Sequence, residues 1–335
     1  MSGAEEPTNK RKRSEHEPHP NIIIVRSEFW LKDGNVILQA ENMQFKVYRG
    51  ILSLNSTVFS DMFSTPQPPS GQELIEGCPI VHLSDTSADV TIMLEAICQR
   101  RYVANGDALP FTVVAAFLRL GNKYDIEVLR ADALKRLFYE MPSVLEAYEA
   151  RAAWSMIRKD NKHTKLDMAN LAREQNLLSA LPIAWYRCCW AWHLPASMFK
   201  TKLNTQDAII CATSYVPLMK LQQETTFSWI TFPPSKYPRC QKNAICRAAR
   251  SELAIKMFFP VATLTCLERW DQAWGGDMCS VCVKIAMAEH DDGRRRFWEA
   301  LPGIFGLHGW EELNKERDQS KMYVHIALED RLHDR

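Results

Sequence analysis

Four cysteines in the last third of the chain have a spacing suited to metal chemistry. Five residues separate Cys240 from Cys246, and two separate Cys279 from Cys282. Two cysteines three apart at a helix start can point both thiolates at one tetrahedral zinc. A second pair folded against them completes a closed set of four sulfur ligands, and with no open position for water such a site is structural. Cys266 and His290 are substitutes in the same stretch. The five-residue spacer is wider than the usual two to four, and free cysteine is among the most buried residue types. Core thiols are therefore the competing reading, and the sequence leaves both open.

Other clusters carry less chemistry. Cys188 and Cys189 stand in the run Trp185-Tyr186-Arg187-Cys188-Cys189-Trp190-Ala191-Trp192. Adjacent positions on a helix diverge by about 100 degrees, so these two thiols do not share a task. The run reads as an aromatic-rich core helix, with a partner groove lined by the tryptophans as the alternative. Arg294, Arg295 and Arg296 follow Asp291 and Asp292, which offset their field, and read as a solvated helix start. The sequence contains no phosphate-cradling glycine loop, no Gly-x-Ser-x-Gly elbow and no His-Glu-x-x-His, and its nine histidines are scattered. The expectation is a non-enzymatic protein that requires no cofactor, with structural zinc as the one metal in question.

The elements that must position these residues divide the chain in two. A length of 335 residues favours two domains over one. Lysine and arginine number 41 against 40 acids, a net charge of +1, so no global field draws the chain to nucleic acid or an anionic membrane. Hydrophobic residues at 46% and charged residues at 24% support a sizeable core. No apolar run approaches the ~18 residues of a bilayer span, and the first residues lack the apolar stretch of a signal peptide. These features predict a soluble intracellular protein whose ten cysteines are thiols unless they hold metal or react. Residues 1–20 read as a solvated tail carrying the uninterrupted basic run Lys10, Arg11, Lys12, Arg13, the kind of segment read by nuclear import receptors. Localisation to nucleus and/or cytoplasm follows.

Residues 21–140 read as α+β. Asn35 to Tyr48 predicts a hairpin turning at Glu41-Asn42, with Phe45 and Val47 facing a core and Gln44 and Lys46 facing water. Ile80 to Leu83 is a third strand, and the apolar Ile22 to Val25 is a further strand able to pair with its own domain or a twin. One or two helices over Ile51 to Phe63 end before Pro66, Pro68 and Pro69. Helical stripes follow at Val90, Leu94 and Ile97, at Val114, Phe117, Leu118 and Gly121, and at Ile126, Leu129, Ala133 and Leu137. Residues 141–310 read as mostly α-helical, with helices over 143–158, 165–180, 205–223, 241–258 and 279–300. Residues 311–335 form a charged C-terminal segment.

The first half resembles a known family. Asn35-Val36-Ile37-Leu38, Phe45-Lys46-Val47-Tyr48-Arg49-Gly50-Ile51-Leu52, Ser56, Phe59 and Met62-Phe63, followed by Leu83-Ser84-Asp85 and Lys123-Tyr124, are similar to the BTB/POZ signature. Glu28 to Asn35, together with Gly293 to Leu307, resembles fungal, basidiomycete BTB-domain proteins. The signature aspartate falls at Asn35 and its histidine at Tyr48, so a charged pocket that many members place at the dimer surface is altered here.

The resemblance implies helices capped by a small sheet, protein partners and a homodimer. The signature core falls on Val36, Leu38, Phe45, Leu52, Ser56, Phe59, Met62, Phe63 and Tyr124, and partner contacts on Asn35, Tyr48 and Arg49. It further implies a substrate adaptor for a cullin-type ubiquitin ligase, with Leu74-Ile75-Glu76 either the cullin-contacting hydrophobe and glutamate or a solvated loop. The alternative is a nuclear regulatory protein recruiting corepressors through the BTB surface. No Cys-x2-4-Cys-x12-His array is present to read DNA directly.

Replacing Lys10, Arg11, Lys12 and Arg13 with alanine is expected to move a tagged protein from nucleus to cytoplasm without changing its melting temperature, because the segment has almost nothing to bury. Fluorescence microscopy checks this.

Overall fold

The computed structural model describes residues 23–65, 73–102, 107–191, 203–259 and 264–319. The basic run at Lys10 to Arg13 lies outside them. The described residues form two compact units, one made of those up to Arg49 together with those from Glu73 to Ser87, the other of Gly50 to Thr65 with those from Ala88 onward.

The first unit is built on a sheet. Its strands are β1 (Val25–Trp30), β2 (Val36–Ala40), β3 (Met43–Val47), β4 (Leu74–Ile75) and β5 (Cys78–Leu83), in the order β1-β3-β2-β5-β4. The expected hairpin is β2 with β3, antiparallel with Leu38 opposite Phe45. Its turn places Glu41 at φ 51°, and the Glu41 carboxylate accepts from the Ser87 backbone N–H at 3.0 Å and the Ser87 hydroxyl at 2.7 Å. Those hydrogen bonds hold the Glu41 carboxyl below its ordinary pKa. β5 runs parallel to β2, and β1 runs parallel to β3 and forms a sheet edge.

One expectation for this hairpin is corrected. Gln44 and Lys46 do not face water but are buried with Phe45 and Val47. β3 lies between β1 and β2, and polar partners on the second face meet its side chains. Gln44 Nε2 donates to Gln39 Oε1 at 2.7 Å, while Lys46 Nζ donates to the Lys32 carbonyl at 3.2 Å and to Glu76 at 3.0 Å. A buried ammonium is tolerated because it is paired and hydrogen-bonded.

The second unit is helical. The helix Arg49–Asn55 leads into it, and Thr57–Ser64, Phe111–Lys123 and Glu127–Glu140 bury Phe59 and the expected stripes at Val114, Phe117, Leu118 and Gly121 and at Leu129, Ala133 and Leu137. Helices follow at Leu145–Ala150, Thr164–Glu174, Leu181–Ala191, Thr205–Glu224, Asn243–Phe258 and Ser280–Ile304. The last three match the periodicity closely, and Pro217 sits inside Thr205–Glu224 without ending it.

Two predicted helices are shorter than expected, for local reasons. The first ends at Ala150, because the buried Glu140 carboxylate captures the backbone N–H groups of Trp154 (2.9 Å) and Met156 (3.1 Å). With Trp154 at φ 65°, the chain leaves helical geometry, and Ile157–Arg158 pairs as a short parallel strand with Leu109–Pro110. The second ends at Glu174, ahead of Asn176 at φ 55°, a left-handed position asparagine tolerates better than most residues.

The arginine run is also corrected. Arg294 lies in the middle of Ser280–Ile304, not at a helix start, and is buried against Glu149 and the Leu267 carbonyl. Arg296 remains at the surface with Glu289 and Asp292. Residues 310–319 are helical, with Trp310, Leu313 and Arg317 buried, so the charged segment expected from 311 begins inside a packed helix.

At Gly293 the long helix passes so close to Thr225 that an added Cβ would lie 2.3 Å from the Thr225 carbonyl oxygen and 2.7 Å from the Thr226 Cα. Gly293→Ala should therefore destabilise the protein by roughly 3 kcal/mol, as overpacking against rigid backbone does. Chemical denaturation measures the loss, and Gly303→Ala, which meets open space, serves as the control.

Candidate functional site

The four cysteines singled out by spacing converge. The Sγ atoms of Cys240, Cys246, Cys279 and Cys282 all lie within 4.8 Å of one another, and all four are free thiols. Their placement follows from two helix starts. Cys246 sits in the first turn of Asn243–Phe258, Cys279 is the N-cap of Ser280–Ile304, and Cys282 lies one turn further. Cys240 follows the turn Pro234–Lys236, its N–H donating to the Tyr237 carbonyl at 3.1 Å. Helix N-termini present unpaired N–H groups and a positive dipole end, both of which favour thiolates.

The thiols are not equivalent. The backbone N–H groups of Cys282 and Gln241 draw the Cys279 thiol down to about 6, whereas burial raises Cys246 and Cys282. The Cys279 N–H donates to Cys246 Sγ at 3.2 Å. Around them Phe227, Trp229, Ile230, Tyr237, Met278 and Ala286 form a buried cluster. Cys266 and His290 take no part. Cys266 Sγ lies 3.4 Å from the Tyr186 hydroxyl, and His290 Nε2 lies 3.0 Å from the Glu268 carbonyl.

The run around Cys188 is a core helix, as its composition predicts. Trp185, Tyr186, Cys188 and Cys189 are buried; burial raises the Cys188 thiol, and a hydrogen bond with Cys211 together with burial raises that of Cys189. Trp190 is the exception. It lines a cavity of about 330 Å³ with Trp154, Tyr148, Arg151 and Arg187, and Lys165 Nζ lies 4.5 Å from its ring centroid. Trp192 lies outside the described residues.

The signature residues divide between the two units. In the sheet unit Val36, Leu38 and Phe45 are fully buried. Asn35 Oδ1 accepts from the Arg49 N–H at 2.8 Å, so the amide does the work of a helix-capping acceptor where the signature has a carboxylate. The Tyr48 hydroxyl donates to Asp33, which lowers the Asp33 pKa and raises that of the phenol. Leu74 is 57% exposed. Glu76, at φ 49°, is held by Arg26 and Lys46, each at 3.0 Å, and its carboxyl is lowered by them. Leu74 and Ile75 thus form the short strand β4, and Glu76 stands in the turn that follows it.

In the helical unit Leu52 and Phe59 are buried, with Met62 and Phe63 partly so. Ser56 caps Thr57–Ser64 by accepting from the Phe59 N–H at 3.0 Å, and its hydroxyl donates to the Tyr124 carbonyl. The Phe59 ring stacks on Tyr124 at 4.6 Å. Two motifs 68 residues apart therefore meet at one serine.

The BTB/POZ domain model matches residues 31–140. This chain carries a BTB/POZ domain. No curated protein matches it. The BTB domain consists of a small sheet plus helices and is followed by a mostly helical C-terminal region, as expected. The serine cap, the Phe59–Tyr124 stack and the buried sheet residues all fall within the matched span. BTB domains are typically interaction modules and not enzymes, and they imply protein partners.

Ser56→Ala removes both the cap and the donor to Tyr124, and should cost about 1–2 kcal/mol. Thermal unfolding of the full chain measures it, with Ser64→Ala, whose hydroxyl donates to the Ser60 carbonyl in its own exposed turn, expected to change little.

Proposed function

We propose that this protein is a non-enzymatic adaptor that self-associates through its BTB domain and presents the helical region to a second protein. The observation that carries the reading is the open sheet edge leading into the matched domain. β1 is an edge strand, and Ile23, Ile24 and Val25 at its start are 78%, 44% and 46% exposed. An apolar edge with unpaired backbone groups is a ready template for a strand of another chain, and a second copy supplies the same edge for an isologous contact. Within its own chain β1 pairs with β3, so self-association adds to the domain and does not complete it.

The finer reading is a substrate adaptor for a cullin-type ubiquitin ligase. Support comes from Leu74, an exposed leucine on the short β4 strand, with Glu76 holding that strand end through Arg26 and Lys46. In this arrangement Leu74 makes the contact and Glu76 orients it. The basic run at Lys10 to Arg13 favours the second reading, a nuclear regulator that recruits corepressors through the BTB surface. The balanced net charge of +1 argues for protein partners over nucleic acid in both cases. No helix among the described residues is long and apolar enough to cross a membrane.

Sedimentation of the full chain at micromolar concentration should give the mass of a dimer, and Ile23→Asp with Ile24→Asp should give a monomer with an unchanged circular dichroism spectrum. A strictly monomeric parent protein overturns the dimer. Affinity purification from the native cell should recover a cullin, reduced by Leu74→Asp, and a corepressor in its place decides for the second reading.

A further inference from the structure

We infer that Cys240, Cys246, Cys279 and Cys282 are the ligands of one structural zinc ion, and that Arg250 is its buried counter-charge. A tetrahedron with Zn–S bonds of about 2.3 Å needs sulfurs about 3.8 Å apart, within the 4.8 Å that bounds all four thiols here. The ligands come from two stretches, with Cys246 and Cys279 separated by 33 positions. No local turn accounts for that convergence. Zinc binding releases to solvent the protons of those thiols still protonated and leaves a centre of net charge −2, with no position for water or substrate.

Such a centre placed in an apolar cluster needs a compensating cation, and the structure supplies one. Arg250 lies four residues after Cys246 on Asn243–Phe258 and so faces the same side. It is only 5% exposed, yet its Nε and one terminal nitrogen have no hydrogen-bond partner among the described residues. Its guanidinium stacks on Tyr237 at 4.0 Å, within the cluster that surrounds the thiols. A buried guanidinium without an acid is costly. Four core thiols without metal bring at most the single charge of Cys279 to it, whereas a tetrathiolate centre brings two. The packing alternative explains buried cysteines but not a buried arginine on the helix face of Cys246 with two nitrogens unpartnered among the described residues.

The metal ties the segment from Tyr237 to Cys246 to the start of the long helix, closing a loop of more than thirty residues whose closure entropy is otherwise unfavourable. Arg250 acts through the ligands and is a positioning residue, of the kind whose loss typically weakens metal affinity by about 10–100-fold.

Elemental analysis of the full chain, purified without any chelator, should find close to one zinc per chain. Cys240→Ser, at the least buried of the four, should abolish stoichiometric zinc, while Cys188→Ser should retain it. Where the Cys240 variant does not fold, cobalt added to the metal-stripped parent protein keeps the test open, since only a tetrahedral thiolate set gives the intense visible bands of that geometry. In competition with a chromophoric chelator, Arg250→Gln should hold zinc at least about tenfold more weakly, with Arg250→Lys recovering part of the loss. Absence of stoichiometric metal from never-chelated protein, an octahedral cobalt spectrum, or full zinc in Cys240→Ser overturns the site. Unchanged zinc affinity in Arg250→Gln overturns the role of the arginine.

Discussion

Buried carbonyls need donors, and in the helical region four arginine side chains meet that need at helix ends and irregular segments. Arg136 donates to the carbonyls of Asp107 and Met156, Arg187 to that of Glu140, Arg294 to that of Leu267 and Arg317 to those of Met141 and Ser179. Arg136 and Arg317 each spread their fork over two backbone segments, a geometry that lysine cannot reproduce. The irregular segments after Glu140 and before the long helix owe their fixed course to these contacts. Without them several carbonyls would sit desolvated and unpaired, which no amount of apolar packing offsets.

Arg250 is the exception that makes the pattern informative. It is as buried as Arg294 but has neither a carbonyl nor a carboxylate on two of its nitrogens, and it lies on the helix face that carries Cys246. Two observations thus bear on the cysteine cluster independently, one from sulfur convergence and one from charge. Neither involves the BTB domain. The adaptor reading and the metal reading therefore stand or fall separately, and a zinc-bearing helical region is compatible with a BTB domain bound to any partner.

The sheet unit follows a different rule. Its buried polar residues pair with side chains nearer the surface, Gln44 with Gln39 on the neighbouring strand and Lys46 with Glu76 in the turn after β4, and not with loop backbone alone. This places Glu76 in the sheet's own charge network and leaves Leu74 as the exposed apolar side chain of that edge. The two residues that looked like one short motif do different jobs. One fixes the strand end, and the other is available to a partner.

Much of this molecule was legible in its amino-acid order. The hairpin from Val36 to Val47, the stripes over 114–121 and 126–137, and the long helices after Thr205 follow from periodicity and turn chemistry, which act between near neighbours. The BTB resemblance rests on motifs that are each local, around Ser56 and Phe59 and around Tyr124, although the contacts that join them span 68 positions. The pairing of Cys240 and Cys246 with Cys279 and Cys282 was open, since spacing limits which thiols can share a metal but says nothing about whether two distant helix starts meet. Only the tertiary structure brought the four together and buried Arg250 against Tyr237 of the surrounding cluster. It alone decided that Lys46 and Arg294 are buried, because burial of a charge depends on an acceptor supplied from elsewhere in the chain, here Glu76 and Glu149. The helix expected over 143–158 failed for the same reason. The Glu140 carboxylate competes for backbone N–H groups that a local reading assigns to the helix, and that competition exists only once the chain has folded.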